Sequence, residues 1–205
     1  MLIPGKPWAP VGSCFADVGQ WPGQVLFLSC QFLNLAQGTA MASLEWNAAL
    51  ILDFPVMDAV HEEFVTLLAQ VEAAADEQLC ALWDELIAHT QQHFDQEDRW
   101  MQTTGFATGN CHSQQHKVVL AVMREGAVKG AQGELSTIRH MASELGPWFS
   151  HHAQNMDAAL ALHMRRTGFD PVTGAVLVPE ALPAEPITGC GGACSEAEKI
   201  EVVTA

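Results

Sequence analysis

The stretch His93-Phe94-Asp95-Gln96-Glu97-Asp98-Arg99-Trp100-Met101 sets an imidazole and a carboxylate four residues apart, one helical turn along a single face. Leu79, Leu82 and Leu86 precede them on the same stripe and Trp100 follows, so a helix is predicted over about 76–101. Its apolar face carries ionisable groups, which is costly unless they are paired or bound to a metal.

Working outward, the same design recurs on either side. Met57, Val60, His61, Phe64, Leu67, Leu68 and Val71 recur at helical spacing and predict a helix over about 56–75. After Gly105 and Gly109, a third helix is expected over about 110–128, with His112, His116, Val119 and Met123 on its face. Gly130 and Gly133 are read as breaks before a fourth helix over about 134–166, which Pro147 should kink just after Gly146. That helix carries His152 and Asp157, five residues apart. Short connections between long amphipathic helices favour antiparallel neighbours, and strand-like alternation is absent. The fold class is therefore all-α, an up-down antiparallel four-helix bundle over 43–166 with irregular extensions at both ends.

The extensions are punctuated by Gly and Pro. Residues 1–42 read as an irregular N-terminal extension, with Met41 a candidate for the natural start. Residues 167–205 read as a flexible, acidic, Gly/Pro-rich tail bearing Cys190 and Cys194. Two thiols cannot by themselves fill a tetrahedral zinc site, so the tail reads as an inert end, with redox sensing or metal contact through a partner left open.

Composition narrows the function classes. Nine Lys and Arg against 24 Asp and Glu give 9 − 24 = −15 with histidine neutral. That charge argues against nucleic acid, which requires a basic face, and against a polybasic dock on anionic lipid. The first forty residues hold only Lys6 as a base and no apolar run long enough for a bilayer, so no membrane partner and a cytoplasmic location are expected. Nine histidines equal the whole Lys and Arg count, in a chain without tyrosine. That surplus raises a metal question.

Each of the four helices supplies at least one ligand-capable side chain: His61, then His93 and Glu97, then His112 and His116, then His152 and Asp157. Singly, an inward histidine such as His61 is more often a hydrogen-bonded core residue. Five imidazoles and two carboxylates on the inner faces of one bundle have no economical structural explanation. Seven nitrogen and oxygen donors exceed the four of a structural zinc site, and no cysteine belongs to the set. Imidazole with carboxylate suits iron, and two carboxylates suffice to bridge two ions. The Glu-x-x-His pairs of ferritin-like di-iron bundles do not occur, so the centre would be of a different kind.

At these residues the sequence resembles the hemerythrin family, in particular its bacterial, cytosolic single-domain members. Trp46-Asn47 with Asp58-x-x-His61 looks like the family's opening segment. His93-Phe94-x-x-Glu97-Asp98-x-x-Met101 is similar to its second-helix signature, with Asp98 where a second glutamate is usual. His112-x-x-x-His116 and Trp148-x-x-x-His152-x-x-x-x-Asp157 match the third and fourth helices, and the resemblance covers about 44–164. It implies that His61, His93, Glu97, His112, His116, His152 and Asp157 hold two Fe ions. Glu97 and Asp157 would bridge them, together with a solvent-derived oxo or hydroxo group. It further implies reversible binding of O2 as ligand at an open position on one iron, for oxygen storage, transport, delivery or sensing, with no catalytic residue assigned.

Phe64, Leu68, Trp100, Val119 and Phe149 are candidates for an apolar lining of that position, or are ordinary core. His89 would lie beside the site or be exposed, His151 points outward, and His140 and His163 lie away from it. Asp58 reads as a helix cap or an acceptor beside the site. Two other classes stay open: an enzyme using the same centre on peroxide or nitric oxide or repairing iron centres, and an interaction module responsive to iron or O2. No dedicated proton donor is evident, and the absence of tyrosine removes one obvious carrier, so the reading is of an oxygen-binding metalloprotein rather than an enzyme.

Overall fold

The computed structural model of the chain describes residues 43–106, 111–185 and 187. It is all-helical: α1 Pro55–Ala73, α2 Asp76–Thr104, α3 Cys111–Ala131, α4 Leu135–His152 and α5 Ala158–Thr167. The first two helices each start for a local reason. Pro55 opens α1, where its missing N–H costs nothing and its fixed φ suits a helix. The Asp58 carboxylate reaches back to the N–H groups of Leu52 (2.8 Å) and Phe54 (3.1 Å), holding the chain as it enters α1. Asp76 and Glu77 place negative charge at the positive end of α2.

Along the chain, α1 packs on α2, α2 on α3, α3 on α4 and α4 back on α1. This is the four-helix bundle the periodicity predicts. Buried Phe64, Leu68, Trp83, Leu86, Met123, Ile138 and Phe149 fill its interior. Trp83, rather than the half-buried Leu82, faces inward on α2, and its indole N–H donates to the Met123 carbonyl at 2.9 Å.

Three local expectations need correction. Gly130 does not break the chain: it lies inside α3, where a Cβ would run into the Ile138 side chain of α4. Its lack of a side chain permits close helix packing. Second, Pro147 lies within α4, and the single helix expected over about 134–166 does not run through as one α-helix. The departure from α geometry comes later, in a π-helical turn at Ala153–Asp157 that joins α4 to α5.

Third, the beginning of the presumed tail is packed. Gly168, at φ 60°, ends α5, with Phe169 N–H donating to the Met164 carbonyl at 2.9 Å. Phe169 is buried in a cluster with Leu52, Phe54, Met57, Trp100, Phe106, Leu160 and Met164. Val176 and Ile187 pack against that cluster, and Ile187 N–H donates to the Gly105 carbonyl at 3.2 Å. This second core closes one end of the bundle. The N-terminal extension, Cys190 and Cys194 lie outside the described residues.

Candidate metal centre

The bundle brings all seven sequence-derived donors together, and all are buried: His93 is 4% exposed and the other six 1% or less. His93 and Glu97, one turn apart on α2, meet with Nε2 3.0 Å from Oε1. From α3, His112 Nε2 and His116 Nε2 each stand 3.3 Å from Glu97 Oε2. From α1, His61 Nε2 stands 3.3 Å from Asp157 Oδ2 and 4.0 Å from Glu97 Oε1.

His152 and Asp157 need the π turn to join them. In a regular α-helix, residues five apart differ by about 140° around the axis and face different neighbours. The π turn closes with Ala158 N–H on the Ala153 carbonyl, an i→i+5 bond that absorbs the extra residue. His152 Nε2 and Asp157 Oδ1 thereby come within 3.1 Å of each other.

The donors separate into two overlapping groups. Glu97, His112, His116, His152 and Asp157 form one, and His61, His93, Glu97 and Asp157 the other, with ligand atoms within 4.8 Å of one another in each. The two carboxylates belong to both groups. One half therefore offers three imidazoles and the other two.

Their hydrogen bonding fits donors that share a cation. His61 Nε2, His112 Nε2, Glu97 Oε2 and both Asp157 oxygens are buried without a hydrogen-bond partner among the described residues. Close approaches such as 2.9 Å between His112 Nε2 and Asp157 Oδ1 lack hydrogen-bond geometry. Orphaned donors and acceptors at this density would be prohibitive in an apolar core without a group between them.

Electrostatics points the same way. Burial and the neighbouring Asp157 both favour a neutral Glu97, but His93, His112 and His116 outweigh them and hold it well below the usual carboxylate range. Burial likewise opposes charge on Asp157 and is overcome by His152, His112 and His61. Burial disfavours a charged His112, yet Asp157 and Glu97 push it up to about 10. Burial dominates at His152 and takes it down to about 4. Without metal, protons on some imidazoles supply the positive charge that the two carboxylates demand.

The surroundings differ between the halves. Phe149 meets His61 edge-on at 5.1 Å and stacks on Phe64 at 4.3 Å, so these two lining candidates stand on the two-histidine side. Phe94 lies flat on His116 at 3.9 Å, and Trp148 stacks on His152 at 4.7 Å. Leu68 and Val119 are buried in the bundle, while Trp100 belongs to the end core against Phe54 and Phe169.

Among the remaining histidines, His151 and His140 are exposed. His163 bonds the Thr104 carbonyl at 2.8 Å. His89 is half-buried, with Nε2 3.1 Å from the Val60 carbonyl, and it lines a surface groove of about 550 Å³ with Glu62, Glu63 and Thr66. Two residues that sequence reasoning left without a role touch the cluster: Asp98 Oδ1 is 3.2 Å from His116 Nδ1, and Gln115 Oε1 is 3.3 Å from His152 Nδ1.

A four-helix bundle whose two shared carboxylates and five imidazoles form overlapping donor groups suits a dinuclear, non-haem iron centre. The profile described as "Hemerythrin HHE cation binding domain" matches residues 53–161. The chain belongs to the hemerythrin family. It is 35% identical over 130 residues to a bacteriohemerythrin of Ralstonia nicotianae, covering 63% of this chain and 95% of that protein. Bacteriohemerythrins of Stenotrophomonas maltophilia (25% over 125 residues; 59% and 81% covered) and Pseudomonas aeruginosa (25% over 122; 58% and 79%) are also similar. No solved structure gives a significant match.

Proposed function

We propose that the chain is a di-iron protein that binds O2 reversibly, with His112, His116 and His152 on one iron, His61 and His93 on the other, and Glu97 and Asp157 bridging. The observation that carries this reading is the unequal division of donors around two shared carboxylates. With both carboxylates bridging, one ion collects five protein donors and the other four. When bound, the iron pair supplies the electrons and the open position that O2 requires.

The chain's own residues do the rest. Glu97 and Asp157 hold the two positions together, and their negative charge offsets part of the charge of the ions. Phe149 and Phe64 present apolar surface beside His61, which disfavours water and protons at the position left open. The groove that His89 lines lies on the side of this same half, the His89 ring standing 6.5 Å from that of His93. The charge balance does not favour nucleic acid as partner, and among the described residues no helix is long and apolar enough to cross a membrane. A cytoplasmic role in storage, delivery or sensing is part of the proposal.

The test is spectroscopic. Anaerobically reduced, iron-loaded protein is exposed to O2 and returned to vacuum while its visible absorption is followed. A band that appears and reverses over repeated cycles is expected. One-way bleaching, or steady consumption of peroxide or nitric oxide at an enzymic rate, would favour the enzyme reading.

A further inference from the structure

The five imidazoles are not held alike. Two have a side-chain acceptor at the nitrogen facing away from the cluster: His116 Nδ1 lies 3.2 Å from Asp98 Oδ1, and His152 Nδ1 lies 3.3 Å from Gln115 Oε1. Both belong to the three-histidine half. Nδ1 of His112, the third ring of that half, and Nδ1 of both His61 and His93 on the two-histidine half are buried without a partner among the described residues, so two of three rings are anchored on one half and neither on the other.

An imidazole that ligates through Nε2 carries its proton on Nδ1, and an acceptor there fixes the tautomer and ring plane and strengthens the ligating nitrogen. Asp98 follows Glu97 on α2, so it is turned about 100° from the ligand face. It is 40% exposed yet reaches across to α3. Its target ring is already constrained, since Phe94 lies on His116 with ring planes 5° apart. A stacked face and an anchored Nδ1 together leave that ring little freedom to turn.

We propose that Asp98 is a positioning residue for His116, with Gln115 acting likewise on His152, and that these contacts make the three-histidine half-site the tighter of two unequal half-sites. Metal then loads in order, first into the anchored half and second at His61 and His93. This inference rests on the reading of the seven residues as ligands of two ions.

The experiment titrates metal-free full-length protein with Co²⁺ alone, following the visible ligand-field bands in competition with a chromophoric chelator. The unmodified chain is expected to take up two equivalents in two resolved steps. Asp98→Ala should weaken the first step about 10- to 100-fold, the usual cost of losing such a contact, and narrow the gap between steps. Asp98→Glu, which keeps a carboxylate acceptor, should retain most of the gap. Asp95→Ala, an exposed change on the same helix whose side chain pairs with Gln91, should leave both steps unaltered. A first step within about twofold of the unmodified chain in Asp98→Ala overturns the inference. So does equal weakening of both steps accompanied by a lower melting temperature of the metal-free protein, which would mark a merely structural role. Uptake of fewer than two equivalents by the unmodified chain overturns the two-ion reading itself.

Discussion

His112 Nε2 stands 2.9 Å from Asp157 Oδ1, both fully buried, in an ion pair that joins α3 to the π turn. Burial opposes charge on the ring, but Asp157 and Glu97 hold its pKa at about 10, so at neutral pH the metal-free protein keeps a proton there. A metal must displace that proton to reach Nε2. Adding Fe²⁺ anaerobically to weakly buffered metal-free protein at pH 7 should therefore release at least one proton per chain, read with an indicator dye. Loading with no proton release would contradict the assignment of His112.

The same groups set the pH dependence of the metal-free bundle. The His112 pKa is raised from 6.5, so its contribution is complete below about pH 6.5 and is lost as pH rises toward 10. Glu97 and Asp157 are held below their ordinary 4.5 and 3.8, so their contribution is present above that range and disappears as the solution is acidified. His152, lowered from 6.5 to about 4, adds a loss of stability as pH falls below 6.5, so melting temperature should peak near pH 6.5 and fall on both sides. A stability that kept rising from pH 7 to 10 would rule out the proposed protonation of His112.

Removing single donors should separate the two ions. His61→Ala takes one of two imidazoles from the smaller half, and bound iron should fall to about one per chain while the bundle remains folded. His116→Ala should likewise take iron below two. Asp157→Ala removes a donor common to both halves and should leave little iron of either kind. Metal analysis after exhaustive desalting, beside a helical circular dichroism spectrum, makes the measurement. Two tightly held irons in His116→Ala would show that the ligand assignment is wrong.

Phe169 tests the packed end of the bundle. It is 7% exposed and meets Trp100 at 6.5 Å, next to Phe54 and Met164. Phe169→Ala should cost about 3 kcal/mol of stability, the lower end for a buried aromatic truncated to alanine. Chemical denaturation would report it. A loss under about 0.5 kcal/mol, the level of a surface substitution, would mean that this residue does not pack as described.

Much of this was legible because the metal-site chemistry and the helical repeat coincide. His93 and Glu97, or His112 and His116, must share a face in any α-helix, whatever the rest of the chain does. What escaped depends on partners distant in sequence or on departures from the ideal repeat. Asp98 reads as one more exposed acid until α3 packs alongside and brings His116 Nδ1 within 3.2 Å. Gly130 looks like a breaker because its propensity is poor, whereas its place in α3 is set by Ile138 on the facing helix. The π turn did leave a trace: His152 and Asp157, five apart, cannot both face inward in a regular helix. Phe169 and Ile187 were lost in a Gly/Pro-rich context that hides isolated apolar anchors.

Two irons in unequal surroundings within one buried cluster follow from the proposed division of ligands. Mössbauer spectroscopy of protein loaded with ⁵⁷Fe and exposed to O2 tests this most directly, because it counts iron environments without disturbing them. Two quadrupole doublets of equal area, at two irons per chain, are expected, since only the ion at His61 and His93 has a position for the ligand. A single doublet, or one iron per chain, would contradict it.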